Sequence, residues 1–396
     1  MKKILKSEQG ITLVALVVTI VVLIILAGIT LSLVLGQNGI VNKTKEARDK
    51  TQTDQLNTEL AMNTLYNDMT KAISGTGGAT TSPYLPSADY SYDTSTSLST
   101  GLVMKDTSGN EWVWIEVPKT ATVYPTAGTS ITTFSDTDYT NIETDLHTYT
   151  STYRNGTSYT DTYYSDAQTG LTSAEYTTLK KAMLKSVYQN GGFWIGRYEA
   201  GIANNRTSHT TVDTTTKPLI KANQYPYTYV TCSEAETLAK TVATSSGKNS
   251  SLLFGVQWDL VLKYLETKGA TQAELKTDST SWGNYHNNTY NIIEALAKYS
   301  TDNGSSWTAT PYNKTVSGGV TLLTTGALNK FSKMNIYDIA GNVWEWTMEY
   351  TSNSSSPCTM RGGNCNNLGQ EYPVSYRTND STTDSYYTMG FRVAIY

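Results

Sequence analysis

The sequence predicts an α+β protein in which one long N-terminal helix leads into an irregular domain of mixed helices and strands. Three observations carry that expectation. Residues 11 to 36 are almost wholly apolar, and Glu111-Trp112-Val113-Trp114-Ile115-Glu116-Val117 alternates with the period of two expected of a half-buried strand. The last third strings short aromatic runs between Gly, Asn and Ser, so loops outweigh regular elements there. At 396 residues the chain exceeds what one compact domain needs, which leaves room for an anchor and a large exterior domain.

The apolar run from Ile11 to Gly36 spans roughly 25 residues, enough at the helical rise to cross the hydrocarbon layer. Lys2, Lys3 and Lys6 precede it, so the positive-inside bias keeps the short leader in the cytoplasm and sends the rest outward. A secretory signal peptide would have a shorter apolar region and end at a small-residue cleavage site. Residues 37 to 73 stay helix-like, with Leu56, Leu60, Leu65, Met69 and Ile73 recurring at four- or five-residue steps and Asn38-Gly39 as a kink near the bilayer. That pattern suits a stalk or a solvated spacer.

Residues 74 to 100 are rich in Gly, Thr and Ser and read as a linker, after which the head occupies 101–396. Within it, 121–169 reads as a polar surface insertion. Helices are expected over Ser173 to Gln189, with Ser173 as cap, and over Ser233 to Ala243 and Gln257 to Gly269.

Charged residues make up 16% of the chain and the formal net charge is −4, so no basic stripe exists to neutralise a phosphate backbone and nucleic-acid binding is excluded. Twenty-nine tyrosines instead supply rigid rings that both stack and hydrogen-bond, as an exposed recognition surface would. The three cysteines, Cys232, Cys358 and Cys365, are too few for a disulfide scaffold or a zinc site, although an oxidising exterior would permit Cys358 and Cys365 to pair. His147, His209 and His286 show no ligand spacing and read as solvated loop residues.

Lys6-Ser7-Glu8-Gln9-Gly10 followed by Ile11-Thr12-Leu13-Val14-Ala15-Leu16 resembles the class III leader of type IV pilins. The resemblance implies processing by a prepilin peptidase between Gly10 and Ile11, anchorage in the membrane or a pilus-like assembly with other pilins, and an extracellular head. That family commonly has Glu at the fifth mature position, where this chain has Ala15, which argues against a major filament subunit.

A second resemblance covers the head. Phe193-Trp194-Ile195-Gly196-Arg197-Tyr198-Glu199-Ala200, Tyr225-Pro226, Val230-Thr231-Cys232-Ser233-Glu234-Ala235, Gln257-Trp258-Asp259, Gly341-Asn342-Val343-Trp344-Glu345-Trp346, Arg361-Gly362-Gly363 and Gly390-Phe391-Arg392 occur in the order found in the formylglycine-generating-enzyme, or sulfatase-modifying-factor, domain. The resemblance implies an irregular C-type-lectin-like fold. On an extended segment Trp344 and Trp346 face one way and Glu345 the other. Gly341, Gly362, Gly363 and Gly390 suit sharp turns, and Arg361 and Arg392 can tie loops to carbonyls or carboxylates; all these residues serve packing as readily as function.

Catalysis in that enzyme family uses two closely spaced cysteines after the Arg-Gly-Gly motif to handle copper and oxygen. Here Cys365 follows Gly363 with no second cysteine after it, Cys358 precedes the motif, and Cys232 stands where relatives often have Trp and reads as a small buried hydrophobe. The resemblance therefore implies a non-catalytic member. It also implies a structural calcium with Asn342 and Glu345 among its oxygen donors.

Non-catalytic members include the variable proteins of diversity-generating retroelements, which read ligands with their C-terminal segment. The corresponding stretch here carries Asn364, Cys365, Asn366, Asn367, Tyr372, Tyr376, Thr378, Asn379, Asp380, Ser381, Tyr386 and Tyr387, where Tyr offers contact area and the amides and hydroxyls adaptable hydrogen bonds. An adhesin-like protein that binds an extracellular protein or glycan follows. A minor pilin and a copper-dependent oxidase are the alternatives.

Overall fold

The computed structural model of the protein describes residues 83–154, 158–209, 216–243, 248–315 and 319–396. The leader at Gly10 and Ile11, the apolar helix and the stalk expected up to residue 73 lie outside them. Among the described residues no helix is long and apolar enough to cross a membrane.

Two sheets organise the head. The larger contains β1 (Tyr90–Tyr92), β2 (Val103–Asp106), β3 (Glu111–Glu116), β4 (Gly192–Gly196) and β5 (Ser250–Leu252). The smaller is built on the long strand β6 (Trp344–Thr351), with β7 (Cys358–Arg361) and then β8 (Arg377–Asp380) on one side and β9 (Met389–Phe391) on the other. β7 runs antiparallel to β6, while β9 runs parallel to it with Trp344 opposite Met389 and Trp346 opposite Phe391. The last strand, β10 (Val393–Ile395), then returns to the first sheet between β4 and β5, antiparallel to both. The end of the chain thus stitches the two sheets together.

The alternation at 111–117 does produce a strand, but both of its faces are covered. Trp112, Val113, Trp114 and Ile115 are all fully buried, with the Trp114 and Trp194 rings 5.1 Å apart. Tyr84 adds an edge contact to Trp114, and its carbonyl accepts the Trp194 indole N–H at 2.8 Å. The stretch expected as a linker therefore contributes core side chains and an edge strand, β1, paired with β2. Tyr84, Tyr90 and Tyr92 help seat this Ser- and Thr-rich segment: Tyr90 is buried, and the Tyr92 ring lies 6.4 Å from that of Trp194.

The longer helices among the described residues pack around the sheets: α1 (Asp136–Tyr149), α2 (Ser173–Asn190), α3 (Cys232–Lys240) and α4 (Gly255–Thr267). The cap of α2 is Thr172 instead of Ser173; its hydroxyl accepts from the Glu175 amide while the Glu175 carboxylate accepts from the Thr172 amide, a reciprocal box that α1 and α3 repeat. Because α4 is buried nearly all round, from Gly255 to Leu262, it is the central helix of the head. The polar tract 121–169, expected as a loose insertion, contains α1, whose Ile142 and Leu146 are fully buried. Few aliphatics are needed when they recur every four residues on one face.

Cys232 and Cys358 form a disulfide across 126 residues of chain, with Cα atoms 6.5 Å apart, and Cys365 is a free buried thiol. This corrects both cysteine expectations. Cys358, at the start of β7, meets Cys232 at the start of α3, which packs against the neighbouring strand β6, while Cys365 is carried past the Arg-Gly-Gly turn into a separate apolar cluster with Leu322 and Val343.

Candidate functional site

The segment between the Arg-Gly-Gly and Gly-Phe-Arg motifs is held at its base by buried charge. Asp259 of α4, Glu349 of β6, Arg361 at the end of β7 and Arg377 at the start of β8 form a closed set. Arg361 reaches Asp259 at 2.9 Å and Glu349 at 3.4 Å; Arg377 reaches Glu349 at 3.0 Å and Asp259 at 2.5 Å. Two cations alternate with two anions, so removal from water is compensated within the group. Burial, reinforced by the neighbouring Arg377, pulls the Arg361 guanidinium below its usual range, whereas at Arg377 the attraction of Glu349 and Asp259 overcomes burial and raises it.

A second anchor closes the other end. Arg392 donates to both carboxylate oxygens of Glu345, at 3.0 and 2.7 Å, and to the carbonyls of Gly196 and Tyr337 at 2.9 and 2.8 Å. The arginines of the two motifs are thus loop ties, as their chemistry suggested. The turn beside them needs glycine: Gly341 has φ +79°, and a Cβ there would lie 2.3 Å from the Asn284 carbonyl oxygen. Trp346 is sealed in the core with its indole N–H on the Val230 carbonyl, and Phe391 is equally buried.

Above this base the expected ligand-binding residues divide. Asn364 and Cys365 are buried and face inward, which removes them from any contact surface. Asn364 folds its side chain back to accept from the Asn366 amide at 2.9 Å, and burial pushes the Cys365 thiol up to about 12. Asn366, Asn367, Tyr372, Tyr376, Thr378, Asn379, Asp380, Ser381, Tyr386 and Tyr387 all retain exposed surface.

Tyr372 and Tyr376 meet at 4.8 Å between ring centres, and both touch Trp344, at 6.0 and 6.2 Å. Asn366 donates to the Tyr387 hydroxyl at 2.7 Å, Tyr386 is 52% exposed, and Asn379 bridges to the Ser356 carbonyl and the Tyr159 hydroxyl. Burial and a hydrogen bond to Asp384 push the Asp380 carboxyl up to about 6. Asp384 and Tyr159, both partly exposed, were not among the expected surface residues, and the buried Trp344 lies beneath Tyr372 and Tyr376.

The calcium expectation does not fit these residues. Both Glu345 oxygens are taken by Arg392, whose cation stands against the carboxylate, and the Asn342 side-chain oxygen accepts from Asn284 and from the Leu323 amide at 2.8 and 3.0 Å. Nearby Glu199 accepts from the Asn342 amide, and Asp338 from the Gly326 amide at 2.6 Å. Each of these two carboxyls keeps one oxygen without a hydrogen bond among the described residues, and burial raises both, Asp338 up to about 7. The family's copper chemistry lacks its ligands as well, because Cys358 is bonded to Cys232 and only Cys365 remains.

No curated protein matches the chain. Among solved structures, it is similar to the crystal structure of CarF, at 14% identity and a TM-score of 0.32 over 51% of this chain and 85% of that one. It is also similar to PvdO from Pseudomonas aeruginosa, at 16% identity and a TM-score of 0.31 over 52% and 81%. Treponema denticola variable protein 1 follows, at 15% identity and a TM-score of 0.23 over 55% and 67%. The profile of one family matches residues 134–396, nearly the whole of the head that the two buried arginine anchors hold together. The chain belongs to the family of the sulfatase-modifying factor enzyme 1-like domain.

Proposed function

We propose that this protein is a non-catalytic ligand-binding protein displayed outside the cell, which contacts an extracellular protein or glycan through the segment between Arg361 and Phe391. The observation that carries the reading is the pairing of a rigid base with a partly exposed aromatic patch. Four buried charged groups fix the roots of β7 and β8, and directly along the chain Tyr372 and Tyr376 lie against Trp344 with surface left for a partner. Preorganised aromatic side chains lose little entropy on binding, so they contribute contact area at low cost. The lone thiol near the Arg-Gly-Gly turn is buried and protonated at neutral pH, which supports binding over redox chemistry.

Two further parts of the reading rest on the sequence. The leader-like start, cut by a prepilin peptidase after Gly10, would tether the head to the membrane or to a pilus-like assembly. Position and composition of the C-terminal segment support its reading as the counterpart of the segment diversified in retroelement variable proteins. A template repeat beside a reverse-transcriptase gene is the expected genomic context, and its absence would remove that part alone.

The direct test is to screen the purified full-length chain against extracellular proteins and glycans, and to repeat any hit with Tyr372→Ala and Tyr376→Ala. Loss of binding with an unchanged melting temperature supports the reading; undiminished binding by both variants refutes it. Formylglycine formation on a cysteine peptide after copper loading would favour the oxidase alternative.

A further inference from the structure

Away from the C-terminal surface, α1 carries Glu143 and His147 one turn apart on the same face, and Asp161, just after the short strand Tyr159–Thr160, lies against them. One ligand atom from each of the three side chains lies within 4.8 Å of the other two. His147 Nε2 is shielded from solvent, makes no hydrogen bond among the described residues, and points at Asp161 Oδ2 from 3.5 Å. This corrects the expectation that His147 is a solvated loop residue.

Asp161 is fully buried and preoriented. Its two oxygens accept the first amides of α4, from Gly255 at 2.6 Å and Val256 at 2.9 Å, which fixes the carboxylate in the way outer-sphere hydrogen bonds fix metal ligands. Glu143 and His147 remain about one-fifth to one-quarter exposed, at 21% and 24%, which leaves an approach from solvent. A competing cation is present: Lys180 contacts the Glu143 carboxylate at 2.8 Å and the Asp161 carbonyl at 2.8 Å.

We propose that Glu143, His147 and Asp161 form a three-residue site for a zinc-class divalent cation that clamps the inserted helix α1 to the start of the central helix α4. One imidazole nitrogen with two carboxylates is a borderline donor set, which zinc accepts and which offers too few oxygens for calcium. Three protein ligands leave one tetrahedral position for a solvent oxygen. Lys180 must yield one Glu143 oxygen when the metal enters, so removing its charge should tighten binding.

The chain has three histidines, so the assignment is simple to check. The full-length protein, stripped with a chelator, is titrated with Zn²⁺ while its melting temperature is followed, and with Co²⁺ while the visible d–d bands are followed. The wild type and His286→Gln should show the same saturable shift and the same tetrahedral bands. His147→Gln should lose both, with affinity down by more than about 10-fold, and Lys180→Gln should bind more tightly than wild type. Comparing metal-free melting temperatures verifies that each variant is folded; if His147→Gln is not, the Lys180→Gln result decides. No saturable shift in the wild type, a shift that survives His147→Gln, or weaker binding by Lys180→Gln would each overturn the proposal.

Discussion

Arg361 and Asp259 pair at 2.9 Å although 102 residues separate them, and neither side chain reaches solvent. The contact joins the Arg-Gly-Gly motif to the central helix, and Arg377 and Glu349 complete the charge balance. Replacing Arg361 by Met leaves Asp259 and Glu349 facing a single arginine. Breaking such a set typically costs about 3–5 kcal/mol, so Arg361→Met should lower the urea midpoint sharply, with Arg377→Met behaving alike. A variant as stable as wild type would show that the set contributes only register.

The pH dependence of stability should carry the mark of Asp338. Its carboxyl, pushed up to about 7 by burial, keeps its proton in the folded head at pH values where the unfolded chain has released it. Its stabilising contribution is therefore complete below the ordinary aspartate range and is lost as pH rises through about 7. Melting temperature should fall between about pH 4 and 7, and Asp338→Asn, which keeps an acceptor for the Gly326 amide, should flatten the fall. Asparagine also tolerates the positive φ of 58° found there.

Reduction should destabilise the head through one bridge only. Cys232–Cys358 closes a loop of 126 residues, and loss of a long-loop disulfide costs about 2–5 kcal/mol. A reductant should lower the melting temperature of the wild type and of Cys365→Ser, and should leave Cys358→Ala unchanged. Loss of the reductant effect in Cys365→Ser would mean that a different pair is bonded.

Neighbouring asparagines should separate surface from scaffold. Asn366 is exposed and bonds the Tyr387 hydroxyl, whereas Asn364 is buried and holds the turn. Asn364→Ala should cost about 1–2 kcal/mol of stability. Asn366→Ala should leave stability within about 0.5 kcal/mol and weaken ligand binding. Thermal melts alongside binding titrations distinguish the two outcomes.

Much was legible along the chain because some signals are local. The alternation at Glu111–Glu116, the helical rhythm of α2, α3 and α4, and the ordered motifs from Trp194 to Arg392 pointed to the elements and the family, since period and turn glycines act within a few residues of themselves, whereas the cap of α2 fell one residue from its expected place, at Thr172. What depends on who meets whom was decided by the tertiary structure. Cys358 faces Cys232 and not Cys365, Glu345 faces Arg392, His147 faces Asp161, and Asn364 turns inward while Asn366 two residues on turns out. Burial and long-range pairing arise only when distant segments pack, and no periodicity in one stretch encodes the identity of its partner.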